Sequence, residues 1–268
     1  MFDYHIHTTH SGDGQVPDRA QIWAAIYMGL DEICITDHME VHFPLAKHLN
    51  FELDVPSYVS ELQDLAQEFR TEINVKWGLE VGLQNHSLAE TEQRLEGYPF
   101  HYILAARHMF DYEPPYRPDW NALTKAEVFD TYLRHILECV KIYRRFNCLA
   151  HLTYYCRMCP AEDPSLHYSH APDAIDELFT LLVERGQGIE INTSTYKRFG
   201  YCMPDLDIVR RFRELGGEVI TVGSDAHMPN HVGNHLKEGL QLIQAAGLDY
   251  VCTFEYEKPI FHKISSLI

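Results

Sequence analysis

The chain has 268 residues, enough to bury a large core as one domain, and an ordinary apolar share of 46%. Its 39 acidic residues against 22 basic ones give a formal net charge of -17, which argues against a phosphate-neutralising surface for nucleic acid. Seven scattered cysteines fit reduced thiols in a cytoplasmic enzyme better than a disulfide framework, no apolar run reaches membrane-spanning length, and Met1-Phe2-Asp3 lacks the regions of a signal peptide, with a candidate ligand already at His5.

In chain order, Phe2–Ile6 reads as a short strand. Pro17–Met28 reads as a helix with Ile22, Trp23, Ile26 and Tyr27 on its apolar face and Gly29 as its stop. A strand at Glu32–Thr36, a helix at Tyr58–Phe69 and strands at Asn74–Val81 and Tyr102–Ala106 follow. Lys125–Arg145 is an amphipathic helix with a stripe of Val128, Tyr132, Ile136, Val140 and Tyr143. Cys148–Ala150 is short and apolar. Helices at Pro172–Glu184, Leu206–Leu215 and Leu236–Ala246 each precede an expected strand, at Gly188–Ile191, Glu218–Val222 and Tyr250–Phe254. Strand and helix thus alternate roughly eight times, which implies parallel strands with helical crossovers. No repeat or composition break marks a second domain, so residues 1–268 read as one.

Metal-ligand residue types recur where these strands end. They are His5, His7 and Asp13; Asp37 and His38; Glu80; His108; His151; Glu190 and Asn192; and Asp225 with His227. Imidazole and carboxylate hold zinc, iron and manganese. In a β/α barrel the loops after the strands' carboxyl ends build the active site, so closing the barrel gathers these residues at one rim. His5 and His7, two apart on a strand, point the same way. Asp225 and His227 repeat that spacing.

The phrase Asp3-Tyr4-His5-Ile6-His7-Thr8 with Ser11 and Asp13, then Ile35-Thr36-Asp37-His38, Ile103–His108 and Gly223-Ser224-Asp225-Ala226-His227, resembles the motifs of the PHP (polymerase and histidinol phosphatase) family. Gly78–Gly82 and Ile189–Thr193 place the resemblance nearest its monofunctional histidinol-phosphate phosphatase branch. It implies a distorted (β/α)7-type barrel, a TIM-like PHP barrel, and a site for three divalent ions, zinc, manganese or iron. Under it His5, His7, Glu80 and Asp225 hold the first ion. Glu80 bridges to a second, completed by His108 and His151. Asp13, His38 and His227 hold the third. One phrase departs from the family: after His151 comes Leu152-Thr153-Tyr154-Tyr155, where relatives are expected to carry an Asp.

The implied chemistry is hydrolysis of L-histidinol phosphate in histidine biosynthesis. A hydroxide held between ions attacks phosphorus in line, and clustered charge neutralises the phosphoryl oxygens. Asp225, His227 and Glu80 are the candidate catalytic residues. Arg157, Arg198 and Lys197 are the candidate phosphate contacts, because a guanidinium fork matches phosphate. Other readings are a PHP phosphoesterase for another small phosphomonoester or a nucleotide, and a non-catalytic accessory module. The expected partner is thus a small-molecule phosphate monoester, with no nucleic acid and no membrane; the oligomeric state is left open.

The remaining residues have plainer readings. His10 sits off the ligand spacing in the first motif loop. His42, His48, His86, His101, His135, His167, His170, His231, His235 and His262 read as surface or packing residues. Cys156 and Cys159 have the spacing of half a zinc knuckle or a redox pair, but with no second pair they read as incidental thiols. Asp37, beside His38, is expected to orient a ligating imidazole, and Ser11 and Ser224 to back the ligands or support turns. Tyr112, Tyr116, Trp120, Tyr154 and Tyr155 wall a pocket or pack loops, and 110–123 is a lid or an ordinary loop.

Overall fold

In the computed structural model, which describes residues 1–44 and 49–268, the elements run β1 (Phe2–Ile6), α1 (Asp18–Tyr27), β2 (Glu32–Ile35), β3 (His38–Met39), α2 (Val55–Glu68), β4 (Asn74–Gly82), α3 (Leu88–Leu95), β5 (Tyr102–Ala106), α4 (Lys125–Ile142), β6 (Cys148–Leu149), α5 (Pro172–Glu184), β7 (Gly188–Asn192), α6 (Tyr196–Phe199), α7 (Leu206–Glu214), β8 (Ile220–Gly223), α8 (Leu236–Ala245), β9 (Tyr250–Glu255) and β10 (Lys258–Lys263). His48 lies outside the described residues. Among these residues no helix is long and apolar enough to cross a membrane.

The main sheet is parallel throughout, in the order β1-β2-β4-β5-β6-β7-β8, with β3 paired to the far end of β4. The last strand returns to the first just beyond their ends. Ile6 bridges Ala226, with His7 N–H donating to the Ala226 carbonyl at 2.9 Å and Ala226 N–H to the His5 carbonyl at 3.2 Å. That closes a seven-stranded β/α barrel.

Strand alternation then sorts the side chains. Ile103, Ala105, Leu149, Ile189, Ile191, Ile220 and Val222 join the core shared with the helices. The intervening residues Tyr102, Leu104, Ala106 and Cys148 form a second cluster with Tyr4, Cys34, Cys252 and Phe254, to which no helix contributes. This second cluster is the barrel interior. Seven strands leave it narrow, which explains two inward glycines. A Cβ on Gly223 would lie 2.4 Å from the His5 Cβ, and one on Gly78 would lie 2.5 Å from the Tyr102 carbonyl oxygen.

Helix ends follow their sequence signals. Thr124 and Glu127 form a reciprocal capping box before α4, and Pro172 opens α5. The α4 stripe is buried as expected.

Three expectations change. The buried face of α1 is Asp18, Gln21, Ile22 and Ala25, while Trp23 and Tyr27 are 56% and 91% exposed. Gln21 turns inward because its amide donates to the His7 and Ala226 carbonyls at 2.7 and 3.1 Å; buried carbonyls at the barrel seam need a donor more than the core needs another indole. The eighth expected strand, β9, is not in the barrel. It pairs antiparallel with β10, where no strand was expected, and this hairpin stops the end of the barrel opposite the candidate ligands. There the Phe254 ring lies 4.8 Å from that of Tyr102, and the Phe254 N–H donates to the Tyr4 hydroxyl at 2.9 Å. Finally, β3 and α3 form where no element was expected.

Candidate metal centre

The carboxyl ends of the strands open on a cavity of about 190 Å³. It is lined by Asp13, His38, Glu40, Glu80, His108, His151, Arg157, Asp225 and His227, with Phe43, Phe51 and Tyr154 as its apolar walls.

Glu80, on the inward face of β4 and 1% exposed, is the hub. Its Oε2 lies 3.2 Å from His5 Nε2, 3.3 Å from His7 Nε2 and 3.0 Å from His38 Nδ1. Its Oε1 lies 2.8 Å from His151 Nε2 and 3.4 Å from His108 Nε2. Asp225 Oδ1 completes the first group, 3.7 Å from His5 Nε2 and 3.5 Å from His7 Nε2. Farther out, Asp13 Oδ2 stands 3.6 Å from His38 Nε2 and 3.5 Å from His227 Nε2. The nine residues singled out as ligands therefore converge in one place. The Asp225 geometry differs from expectation: it lies past β8 with φ of 56°, so a left-handed turn rather than strand pleat aims it.

The backs of the imidazoles explain their orientation. His5 Nδ1 is 2.6 Å from Glu190 Oε1, His7 Nδ1 is 3.0 Å from Ser11 Oγ, His108 Nδ1 meets Glu40 Oε1, and His227 Nδ1 is 3.1 Å from the Asp225 carbonyl. Carboxylates and a carbonyl only accept. Ser11 Oγ is itself donating to Asp37 at 2.7 Å, so it too accepts from His7. Each of these four rings is thus anchored through an Nδ1–H and turns Nε2 inward, so loss of the Nε2 proton to an incoming cation leaves the tautomer a metal ligand needs. Against the effect of burial, neighbouring carboxylates raise the pKa of His5, His108 and His227. His5 and His7 Nε2 face each other at 3.0 Å. Buried Glu80 Oε2, Asp13 Oδ1, His38 Nδ1 and His151 Nδ1 have no hydrogen-bond partner. Such a set fits divalent cations, and several triads of donor atoms lie close enough together to share one ion.

Electrostatics agree. Burial opposes charge on Glu80, but the His38, His5 and His108 imidazoles outweigh it and hold the carboxyl well below its usual range. Burial likewise works against Asp225, and Arg157 and His5 overcome it. Both carboxylates stay ionised, ready for a cation.

The structure also shows residues the sequence reading missed. Glu40, 2% exposed, holds His108 and accepts from Gln84 Nε2 at 2.9 Å. Its signal was available: it stands two residues after His38, the same alternation that marks His5 and His7. Phe43 and Phe51 sit in a stretch without expected structure. Asp37 does not touch the His38 ring. It accepts from the Thr8 and Ser11 backbone and hydroxyls, and orients His7 through Ser11. Glu190 also accepts the His151 N–H at 2.9 Å, and Asn192 accepts the Ser194 N–H at 3.2 Å, which ties down its loop.

Of the candidate phosphate contacts, Arg157 lines the cavity. Its Nη2 donates to Asp225 Oδ2 and Ser194 Oγ, and its guanidinium lies 5.3 Å from the Tyr154 ring centre. Arg198 and Lys197 are exposed on α6 outside the cavity, with Arg198 Nη1 3.4 Å from the Arg157 carbonyl. His10 faces away from the cavity, and no residue of 110–123 lines it. Tyr155 is core, and Tyr112 lies under the Arg107 guanidinium. All seven cysteines, Cys156 and Cys159 included, are free.

A family model described as the PHP domain matches residues 3–194. A histidinol-phosphatase from Lactococcus lactis subsp. lactis is 30% identical over 254 residues, covering 94% of this chain and 93% of that one. A probable histidinol-phosphatase from Clostridium acetobutylicum is 28% identical over 262 residues, covering 97% and 96%. Among solved structures, the Lactococcus lactis histidinol phosphate phosphatase in complex with zinc, L-histidinol and phosphate matches with a TM-score of 0.84 at 29% identity, over 97% of this chain and 98% of that one.

Proposed function

Because this chain belongs to the PHP domain family, we propose that it is a metal-dependent phosphomonoesterase that hydrolyses L-histidinol phosphate to L-histidinol and phosphate, a step of histidine biosynthesis. The observation that carries the reading is the set of four imidazoles fixed from behind with Nε2 turned into the cavity, those of His5, His7 and His108 toward Glu80 and that of His227 toward Asp13. An inert module has no use for that many preset, unpaired donors. The catalytic unit is the span 1–268 rather than the family-model match, since Asp225 and His227 lie beyond residue 194.

Three divalent ions are proposed. His5, His7, Glu80 and Asp225 would hold one, Glu80 with His108 and His151 a second, and Asp13, His38 and His227 a third. Zinc, manganese and iron all suit these donors. When bound, the ions supply Lewis acidity, making water a stronger acid and neutralising phosphoryl charge.

The protein's own groups do the rest. Arg157 gives part of its fork to Asp225 and has further N–H groups for phosphoryl oxygens; Arg198 and Lys197 add positive charge at the rim. Phe43, Phe51 and Tyr154 offer flat apolar walls to a ring-sized group and exclude water from it. His227, 32% exposed at its side chain, reaches the open side and with Asp225 handles protons at the leaving oxygen. A second reading, another small phosphomonoester as substrate, is favoured by the Thr153-Tyr154-Tyr155 departure beside this pocket.

The test is phosphate release from L-histidinol phosphate against a panel of other monoesters, with protein reconstituted separately with zinc, manganese and iron. A kcat/KM for histidinol phosphate well above every competitor is expected. Preference for another ester overturns the substrate, and no release from metal-loaded protein overturns the activity.

A further inference from the structure

The loop between β1 and α1 has a second face, turned away from the cavity. His10 points outward there, with its ring edge-on to Tyr58 at 5.1 Å between centres. Its Nε2 lies 3.6 Å from Asp18 Oδ1, on the first residue of α1, and 3.5 Å from Glu61 Oε2, on α2. The three donor atoms lie within 4.8 Å of one another. Neither separation from His10 is a hydrogen bond, and His10 Nε2 and Asp18 Oδ1 are buried without any partner. Asp18 is only 4% exposed, and its Oδ1 has given up water without a hydrogen bond from the protein.

From this geometry we propose that His10, Asp18 and Glu61 form a further binding site for a divalent transition-metal ion, separate from the barrel cavity. Around a tetrahedral zinc with bonds of about 2.1 Å, neighbouring donor atoms stand about 3.4 Å apart, close to the spacing seen here. One imidazole and two carboxylates suit zinc or manganese. Asp18 and Glu61 also line an open surface groove, so an ion reaches the site from solvent and keeps water in its remaining positions. Arg19, in the same groove, is already paired with Glu68 and leaves the negative charge uncompensated.

The ion would tie three segments together: the first motif loop, the start of α1 and the middle of α2. That loop also carries Ser11, which sets the His7 tautomer, and Asp13. The site is therefore structural support for the loop and takes no part in bond breaking.

The experiment is anomalous diffraction from crystals of the full chain loaded with zinc or with manganese, together with a metal count per chain in solution. Wild type is compared with Glu61→Gln and His10→Ala. The site predicts an anomalous peak bonded to His10 Nε2, and one ion per chain fewer in both variants, with the peaks in the barrel cavity unchanged. Glu61 is on an exposed helix face, so its variant folds and keeps the comparison valid. Equal metal counts in all three proteins, or anomalous peaks confined to the barrel cavity, would show a plain His–carboxylate ion pair and overturn the proposal. Neither readout depends on activity or on the identity of the substrate.

Discussion

Glu190→Gln isolates the role of the scaffold behind the ligands. Glu190 is 1% exposed and receives three donors: His5 Nδ1–H at 2.6 Å, the His151 N–H at 2.9 Å and Asn192 Nδ2 at 3.2 Å. A carboxylate accepts all three. A glutamine has one acceptor oxygen, and its NH2 would face nothing but donors. The change removes a charge-assisted bond worth about 1.5–3 kcal/mol and strands at least one buried donor at a further cost of about 1–3 kcal/mol. It also releases the His5 tautomer that exposes Nε2. Loss of such outer partners lowers metal affinity or activity by about 10–100-fold, and that range is expected here. Competition with a calibrated chelator measures affinity, kcat/KM for phosphate release measures function, and circular dichroism checks the fold. A folded variant with wild-type affinity and turnover, within about twofold, would refute the argument that Glu190 presets the centre.

Arg157→Ala should raise KM by about 10–100-fold, since charge-assisted bonds of about 1.5–3 kcal/mol are lost, with metal content retained; Arg198→Ala, on an exposed side chain, should raise KM only a few-fold. Unchanged KM in both would remove these arginines from phosphate binding. Phe254→Ala should cost about 3–5 kcal/mol and lower Tm by on the order of 10 °C, with bound metal unaltered, because the hairpin stops the far end of the barrel; metal loss would show the two ends are coupled. His101, 2% exposed between Trp77 and Tyr256, has its pKa pushed down to about 4 by burial and by Lys76. The folded state therefore disfavours the proton. The stability it protects is intact above pH ~6.5 and falls as pH drops toward the folded value, by on the order of 3 kcal/mol. Denaturant titrations at pH 7 and pH 4 should show that loss shrinking in His101→Gln. An identical loss in the variant would place the titration elsewhere.

The convergence of the candidate ligands was legible because strand ends and ligand types coincide in the sequence, and a closed parallel barrel has one carboxyl rim. The α4 stripe was legible because nothing competes with its burial. The α1 face was not, because Gln21 answers to carbonyls just past β1 and just past β8 that only closure brings near. Periodicity cannot see an acceptor more than 200 positions away. β9 was found as a strand, but its partner was not: β10 is exposed on nearly every residue and shows no apolar alternation. Asp37 was assigned to its neighbour in sequence, whereas its hydrogen bonds run to the loop after β1.

The seam where β8 returns to β1 bears on how the protein matures. Asp3 accepts the Ser224 N–H and hydroxyl and the Gly233 N–H, contacts that span 221 and 230 positions of sequence. His5 and His7 stand beside that join, and their counterparts Asp225 and His227 are on its other side. A nascent chain displays its first two candidate ligands almost at once but cannot enclose an ion between them and the last pair until nearly the whole polypeptide has left the ribosome. A chain that stops before Asp225 and His227 lacks a ligand for two of the three proposed ions, so loading of those two positions would report synthesis past residue 227.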